Sequence, residues 1–421
     1  TIGDGIQNDT AAIQRAIDSS PGSIVFPPGR YLTGTLRLSD NLTIELMNGA
    51  ELIASPVLND YVEDHSINPA SGLRHYLFEG RNTSNFTLCG EGKIHGNGPA
   101  FWDIHPDPNV KMKLARPQRI VLVHLVDCHN VSISNIAIYD APAYTIWLLG
   151  CRDVTINGVR VRNQRFGPNT DVLDIDCCTN VATSNCNIEA GDDCIAIKSD
   201  TARLGRDTVC ENICVSNCIL SSTTTGVRIG YAGDGIIRNC VFNNLTIHDT
   251  RTGLDILSLV PECAFTRIKR GTPVENIIFS NIAMRDVRRA IHVWSGMSYT
   301  DIPYRGYVKG ITFSNIRASY VRETIFIGSV GRNTCVSDIL LRDIYLEHVA
   351  NDYTGDGKIA DYPVNCWGVG NLPWSLNLRK IDNIKLENVN ISRGKNLPAE
   401  YGRFNWAYIT NGSMNGIVMD N

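Results

Sequence analysis

A pattern of nine residues recurs through the middle and end of the chain and limits the folds that the chain can adopt. In each copy, a short run of alternating β-branched residues is followed by Asn, Asp or Gly and then by a second such run. The copies begin at Asn130, Asp153, Asn180, Asn212, Asn239, Asn276, Gly310, Asp338 and Asn383. Their spacing of roughly 22–45 residues indicates a solenoid or another repeat architecture.

The alternation within each copy predicts β-strands, because a period of two residues is typical of strands rather than helices. The central Asn, Asp or Gly tolerates a left-handed backbone, so the chain can turn a corner without a hairpin. A further strand is expected to end each coil, starting at Thr145, Val172, Cys194, Gly226, Gly253 and Ala290. Stacked coils of two or three such strands form parallel sheets, so we predict an all-β, right-handed parallel β-helix. A propeller has a similar period but normally shows hairpin turns.

The N-terminal segment differs from the repeat. Asp9 can cap a helix over Thr10–Ser20, and the first strand is expected from Ser23. A solenoid end needs a cap, and residues 1–22 suit that purpose. The chain shows no linker or low-complexity tract, so residues 1–421 are expected to form one domain. Its first residue is Thr1 and no signal-like apolar segment follows, so we expect a mature or trimmed form.

Composition excludes several classes of function. The formal net charge of −4 argues against binding nucleic acid or an anionic membrane through bulk charge. No apolar run approaches the length of about 20 residues that a transmembrane helix needs. The nine His residues show no metal-binding pattern, so we expect no metal and no cofactor.

Cysteine and asparagine patterns each allow two interpretations. The 14 cysteines lack zinc-ligand spacing, so they indicate either disulfides in an oxidising compartment or small apolar residues inside the coils. The disulfide interpretation implies a secreted, extracellular or periplasmic protein, and this is the location that we expect. Sequons are frequent, and their Asn residues are either glycosylation acceptors or corner residues of the repeat. They include Asn41, Asn85, Asn130, Asn244 and Asn390.

Three aspartates form the sharpest candidate site. Asp171 precedes the Asp192–Asp193 pair by 21 residues, which is one coil, and one coil advances about 4.8 Å along a β-helix. The carboxyl groups should therefore lie on neighbouring strands, where repulsion makes one of them hold its proton. A protonated acid beside ionised carboxylates is what glycoside hydrolysis requires. The alternatives are ordinary corner aspartates or a calcium site.

The motifs around these aspartates resemble those of the polygalacturonase-like enzymes of glycoside hydrolase family 28. Asn169-Thr-Asp171 is similar to the family's Asn-Thr-Asp motif, and Gly191-Asp-Asp-Cys194 to its Asp-Asp-Cys motif. The resemblance covers most of the chain, from Asp4-Gly-Ile-Gln-Asn-Asp-Thr through Phe26-Pro-Pro-Gly-Arg-Tyr and Gly92-Lys-Ile-His-Gly-Asn-Gly to the last coils. It implies an inverting hydrolase in which Asp192 is the general acid, Asp171 and Asp193 activate water, and Asp174 supports substrate binding.

Two family motifs are absent. Thr225 stands where the family's Gly-His-Gly has its His, and Asp255 and Leu257 replace the cations of its Arg-Ile-Lys motif. The later string Arg267-Ile-Lys269 follows an insertion and is out of strand phase.

These departures bear on the substrate. Asp255 is expected to repel an anionic sugar and to suit the hydroxyl groups of a neutral one. Arg228 can pair with Asp255 or bind an acid, as can Lys198, although each charge can equally belong to a solvated face or an internal pair. With Asp174 and Thr225, these residues are the candidate substrate-binding set. We expect a rhamnogalacturonan-type or other galacturonide-containing polysaccharide rather than plain homogalacturonan.

The sequence also allows three other functions. One is a pectate-lyase-like enzyme, which would need calcium, and another is a β-helix that binds carbohydrate without cleaving it. A hydrolase acting on a different neutral or sulfated polymer is a third. Aromatic residues in the later coils can stack on sugar rings or anchor loops. They are Trp294, Tyr299, Tyr304, Trp367 and Trp374.

Overall fold

The computed structural model describes residues 2–19, 22–66, 73–259, 268–296, 305–330, 335–349, 375–393 and 407–410. The chain divides into two compact units. Unit 1 comprises Thr1–Ala196, Arg203–Arg206 and Ile213–Thr223, and unit 2 comprises Ile197–Ala202, Asp207–Asn212 and Thr224–Asn421.

Strands make up most of the described chain. The first are β1 Asp4–Asn8, β2 Ser23–Phe26, β3 Gly29–Thr33, β4 Leu36–Arg37, β5 Thr43–Leu46, β6 Ala50–Ala54, β7 His75–Arg81, β8 Ser84–Cys89, β9 Lys93–His95, β10 Trp102–Asp103 and β11 Leu114–Ala115. Next come β12 Ile120–Val126, β13 His129–Ser134, β14 Ala137–Tyr139, β15 Ile146–Leu149, β16 Arg152–Asn157, β17 Arg160–Arg162, β18 Leu173–Asp176, β19 Thr179–Ser184, β20 Asn187–Ala190, β21 Ile195–Lys198, β22 Val209–Ser216 and β23 Ile219–Ser222. The last are β24 Thr225–Gly230, β25 Ile236–Ser258, β26 Pro273–Gly296, β27 Tyr307–Val321, β28 Ile325–Val330, β29 Val336–His348, β30 Leu376–Arg379, β31 Ile381–Arg393 and β32 Ala407–Thr410. The helices are α1 Thr10–Ser19 and α2 Thr201–Leu204, with 3-10 turns at Leu58–Asp60 and Gly98–Phe101.

Unit 1 contains coils of three strands each. Strands β12, β13 and β14 pair in parallel with β15, β16 and β17, and these pair with β18, β19 and β20. Identical inward positions stack in register: Val131 lies opposite Val154, which lies opposite Val181, and all three are buried. The predicted parallel β-helix is confirmed, and its core is the column of such side chains inside the coils.

The corners are formed by Asn residues, as the repeat predicts. Asn41, Asn85 and Asn130 have left-handed φ values of 57°, 57° and 52°. The side-chain amide of Asn130 donates to Asn85 Oδ1, and that of Asn85 donates to Asn41 Oδ1, both at 2.6 Å. These sequon residues therefore act as corner residues, and their amides form a ladder from coil to coil.

Unit 2 has longer strands, because hydrogen bonding continues through the corners. Asn239, Asn244 and Asp249 lie inside β25 with φ values of 56°, 56° and 47°. In its interior, the ring centroids of Phe242 and Phe279 lie 4.9 Å apart, and Phe313 continues the stack at 5.2 Å.

The predicted N-terminal helix is present as α1, which buries Ile13 and Ile17. The Gln14 side chain covers the backbone of β4, since it accepts from Arg37 N at 2.8 Å and donates to Arg37 O at 3.1 Å. The expectation that the first strand begins at Ser23 is wrong. β1 precedes the helix and pairs with β3, so the chain forms a sheet before the first recognisable repeat.

Five cysteines inside unit 1 carry buried, free thiols. These are Cys128, Cys151, Cys186, Cys194 and Cys218. Each thiol donates to a backbone carbonyl, for example Cys151 to Leu125 O at 3.3 Å and Cys194 to Ser221 O at 3.2 Å. Burial raises the pKa of the Cys151 and Cys194 thiols. For these five residues, the interpretation as small interior residues is correct and the disulfide interpretation is wrong. Separately, no helix within the described ranges is long and apolar enough to cross a membrane.

Candidate active site

In unit 1 the backbone brings Asp171 next to the Asp192–Asp193 pair. Val172 N donates to Asp193 O at 2.9 Å, and Leu173 N donates to Cys194 O at 3.1 Å. These bonds join the start of β18 to the turn that leads into β21. The coil length read from the sequence therefore places the acidic residues on neighbouring rungs.

The four acidic residues of this cluster differ in burial. Asp171 and Asp193 are each 4% exposed and Asp174 is 0% exposed, whereas Asp192 is only partly buried. The environment thus favours solvent contact at Asp192 over the other three.

Hydroxyl groups fasten the turn that carries Asp192. Thr170 Oγ1 accepts from Gly191 N at 3.1 Å and donates to Gly167 O at 3.0 Å. Thr223 donates to Gly191 O at 2.6 Å. Gly191 itself has no room for a side chain, because an added Cβ would lie 2.4 Å from both Gln164 O and Thr170 Oγ1. The position of the acidic pair is therefore fixed by close packing.

A buried cation stands beside the acidic cluster. Arg119 is 2% exposed and donates to Pro168 O at 2.5 Å and to Asn169 Oδ1 at 2.9 Å. Burial lowers the pKa of Arg119, while the charges of Asp171 and Asp192 oppose that effect. Arg119 therefore lies close enough to interact electrostatically with both carboxyl groups. Asn169 takes its left-handed φ of 53° at this contact.

The cluster does not have the form of a metal site. Within the described residues, no three His, Cys, Asp or Glu side chains are arranged to hold a metal ion.

In unit 2, Asp255 is the centre of a buried ion pair. Arg228 Nη1 lies 3.1 Å from Asp255 Oδ2, and His292 Nδ1 lies 2.8 Å from Asp255 Oδ1. Arg228 also donates to Thr225 Oγ1 at 2.7 Å. Burial raises the pKa of Asp255, but Arg228 and His292 outweigh it and the pKa falls below its ordinary value. Three residues predicted to bind substrate, Thr225, Arg228 and Asp255, therefore lie together and bind one another.

Further arginines surround this pair. The side chain of Arg289 is 3% exposed and bonds to Glu323 at 2.6 Å, and Arg288 bonds to the same carboxylate. Three arginines, Arg228, Arg288 and Arg289, thus share the carboxylates of Asp255 and Glu323 in this part of unit 2.

The remaining candidates fall in other places. Lys198 ends β21 and is 6% exposed, and Leu257 is fully buried. Lys269 N donates to Asp234 Oδ2 at 2.7 Å outside any strand, and Arg267 lies outside the described residues. Trp294 is 2% exposed and packs on Phe326 with centroids 5.3 Å apart, so it is a packing residue. Four further aromatic candidates, Tyr299, Tyr304, Trp367 and Trp374, lie outside the described residues.

Three residues that contact the acidic cluster or the Arg228–Asp255 pair were not predicted from the sequence: Arg119, Thr223 and His292. His292 occupies the same coil phase as Asp255, with which it pairs in register, so the repeat alone could have found it. Arg119 and Thr223 reach the acidic cluster from outside its strand, and no sequence pattern marks them.

Known proteins provide a separate comparison. The family model described as "Glycosyl hydrolases family 28" matches residues 32–354. The chain belongs to glycosyl hydrolase family 28. Relatives include a probable polygalacturonase of Vitis vinifera, 30% identical over 47% of this chain and 42% of that protein. A probable polygalacturonase of Arabidopsis thaliana is 29% identical over 66% of this chain and 65% of that protein. The matches thus span less than two thirds of these curated relatives.

The fold of this family 28 member is shared by solved structures. A family 28 exopolygalacturonase of Yersinia enterocolitica superposes with a TM-score of 0.69 at 18% identity, over 99% of this chain and 76% of that one. The similarity confirms the right-handed parallel β-helix as the fold class.

Proposed function

We propose that this family 28 member is an inverting glycoside hydrolase that cleaves a galacturonide-containing pectic polysaccharide. The observation that carries the proposal is the junction of two rungs at the acidic cluster, where Val172 N donates to Asp193 O at 2.9 Å. It sets Asp171 beside the Asp192–Asp193 pair. Family membership and relatives named polygalacturonases support the reaction class.

Burial distinguishes the carboxyl groups by role. Asp192 is the most exposed of the cluster, and it donates its proton to the leaving oxygen. Asp171 and Asp193, both 4% exposed, take the proton of the attacking water. Inversion requires a gap of about 6.5–9.5 Å between acid and base so that this water fits between base and sugar.

The unit 2 residues support a substrate other than plain homogalacturonan. The cations of the family's Arg-Ile-Lys motif are replaced by Asp255 and by Leu257, which is fully buried. Asp255 is held by Arg228 and His292, so its charge is compensated internally, and the prediction that it repels an anionic sugar loses force. Because Arg228 and His292 bind Asp255, neither replaces the motif's cations as a binding group for the carboxylate of a sugar. The relatives named polygalacturonases still favour a polymer that carries some galacturonate.

The same proposal includes a single catalytic domain over residues 1–421 and an extracellular or periplasmic place of action, since pectic polysaccharides lie outside cells. The polysaccharide is the proposed partner, and no nucleic acid or membrane partner is proposed.

Hydrolysis of a panel of polymers tests the proposal. The purified chain is incubated with rhamnogalacturonan and with homogalacturonan, reducing ends are counted, and the anomer released first is identified by NMR. We expect faster cleavage of rhamnogalacturonan and the inverted anomer. Fast cleavage of homogalacturonan would contradict the proposed substrate class. Release of the retained anomer would contradict the inverting mechanism. An unsaturated uronide product, detected by its ultraviolet absorbance, would indicate a lyase instead.

Two matched variants test the acid. Asp192→Asn keeps shape but removes the proton donor, and we expect kcat to fall about 10²–10⁴-fold. Asp153→Asn makes the same change on the 47%-exposed side chain of β16 and should leave kcat unchanged. Equal activity of both variants would mean that the chain does not use Asp192 as its acid.

A further inference from the structure

A column of side chains on the outer face of unit 1 includes Asp174. In register, Asp174 lies opposite Trp147 on the neighbouring strand, and Trp147 lies opposite His124 on the next. Alternate residues of a strand point to opposite faces, so Ile146 and Leu148 point into the coils while Trp147 shares the face of Asp174. Trp147 is therefore one strand, about 4.8 Å, from the rung that carries the acidic cluster.

Trp147 is fully buried although it lies on the outer face. The His124 ring stacks on it with centroids 4.2 Å apart, and the edge of Tyr144 meets it at 5.7 Å. The guanidinium carbon of Arg203 lies 4.8 Å from the ring centroid. Leu204 packs against the same apolar cluster. Protein atoms thus occupy the surface on this side of the acidic rung.

The segment Arg203–Arg206, which we call the covering segment, is fixed in place at two points. Arg206 Nη1 donates to Asp127 Oδ2 at 2.9 Å, and its Nη2 donates to the other oxygen of that carboxylate. Leu204 fits against Gly150 so closely that an added Cβ there would lie 2.8 Å from Leu204 Cδ1. The cover is therefore a packed part of unit 1.

Asp64 and Tyr76, which come earlier in the chain, cover the same apolar cluster around Trp147. The Tyr76 hydroxyl donates to Asp64 Oδ2 at 3.2 Å, and Arg81 bonds to that carboxylate. Tyr76 is also within the apolar cluster, and its ring lies 4.2 Å from that of His124. The outer face is thus closed over His124 as well as over Trp147.

We propose that Trp147 and the covering segment close one end of the substrate-binding surface, so that the enzyme releases small products from a chain end. The inference rests on the proposed function, because it takes the cluster of Asp171, Asp192 and Asp193 as the point of cleavage. A polymer chain that ran along the sheet would have to cross Trp147 to extend beyond that rung. Trp147 lies one strand spacing from the rung of Asp171 and is level with Asp174, three residues further along that strand, so only a short stretch of sugar chain fits between the point of cleavage and the block. Trp147, Arg203 and Leu204 are therefore residues that determine specificity.

Oligosaccharides blocked at one end test the closed surface. Pectic oligosaccharides carry a bulky fluorescent group at either the reducing or the non-reducing end. We expect the group at one end to lower kcat/KM about 100-fold or more and the group at the other end to be tolerated. Products should be single sugars or short pieces from the first time points. Equal tolerance of both groups, or early cleavage in the middle of the chain, would overturn the proposal.

Binding separates this proposal from the proposed function. Asp192→Asn protein is titrated with the same blocked oligosaccharides and binding is followed by calorimetry. Binding that discriminates between the two ends supports the closed surface even where the wild-type chain hydrolyses nothing, a result that would overturn only the proposed function. Binding that tolerates both end groups overturns the closed surface.

Removing the cover should change the products. The double variant Arg203→Ala and Leu204→Ala opens the face of Trp147 without altering the acidic rung, and longer products should appear among those of the wild-type chain. Arg152→Ala, at a 59%-exposed position on β16, is the control and should keep the wild-type product pattern. Unchanged product lengths in a folded double variant would count against the block.

Discussion

Replacing Arg228 by Leu tests the buried ion pair of unit 2. The side chains of Arg228 and Asp255 are 7% and 6% exposed, so water cannot compensate for a lost partner. Removing one member of a buried pair typically costs about 3–5 kcal/mol. For an unfolding unit of roughly 200 residues, the unfolding entropy is about 0.4 kcal/mol per kelvin, and a loss of about 4 kcal/mol lowers the midpoint by about 10 °C.

Thermal unfolding followed by circular dichroism measures this shift at pH 7. Arg238→Leu is the matched control, because Arg238 pairs with Glu211 in the same unit at 38% exposure, where solvent screens the pair and its loss should change the midpoint little. Adding Asp255→Asn to Arg228→Leu removes the uncompensated charge and should recover part of the loss. If Arg228→Leu and Arg238→Leu unfold at the same temperature, the pair does not stabilise the unit as argued.

The same variant has a predictable pH dependence. The pKa of Asp255 is lowered in the folded chain, so the pair's stabilisation is complete above the ordinary value of 3.8 and is lost as the pH falls through the lower folded pKa. The midpoints of the wild-type chain and Arg228→Leu should therefore differ most near neutral pH and converge in acid. A difference that grows in acid would contradict this reasoning.

Three further predictions concern unit 1. Gly191→Ala should destabilise the fold by about 1–3 kcal/mol and lower kcat, because the new Cβ would meet Gln164 O at 2.4 Å; an unchanged melting temperature would contradict this. His124 is buried with its pKa lowered from 6.5 to about 3, so the wild-type chain should lose stability as the pH falls between these values, because only the unfolded state takes up the proton. His124→Phe should flatten that part of the stability curve, and an identical curve would show that another group is responsible. Arg119→Gln removes the charge near Asp171 and Asp192, so their pKa values should rise and the acidic limb of the kcat/KM profile should move to higher pH; a shift to lower pH would refute the assignment.

Much of the fold could be predicted because its causes are local. Whether Asn130 can take a left-handed φ depends on its own side chain, and the repeat shows where the chain needs such a corner. The period of two along each strand likewise shows which side chains enter the coils. These local rules did not reveal β1, which lacks the alternating pattern and is stabilised by pairing with β3.

Part of the candidate site could also be predicted. The coil length brings Asp171 beside the Asp192–Asp193 pair, because parallel strands stack at a fixed spacing. The same rule could have predicted that His292 meets Asp255. The fate of the cysteines could not be predicted, since a buried thiol such as Cys194 and a disulfide partner look alike in sequence.

The sequence by itself thus determined the solenoid, its Asn corners and the neighbouring rungs of the acidic cluster, because each follows from a residue's own backbone preference or from the repeat length. Only the tertiary structure decided that Asp255 is held by Arg228 and His292, that Arg119 stands beside the catalytic candidates, and that Arg203 and Leu204 cover Trp147. These contacts depend on where segments distant in sequence come to lie once water has been excluded between them. The physical reason is that burial and charge compensation are properties of the packed structure, whereas period and corner preference belong to the chain.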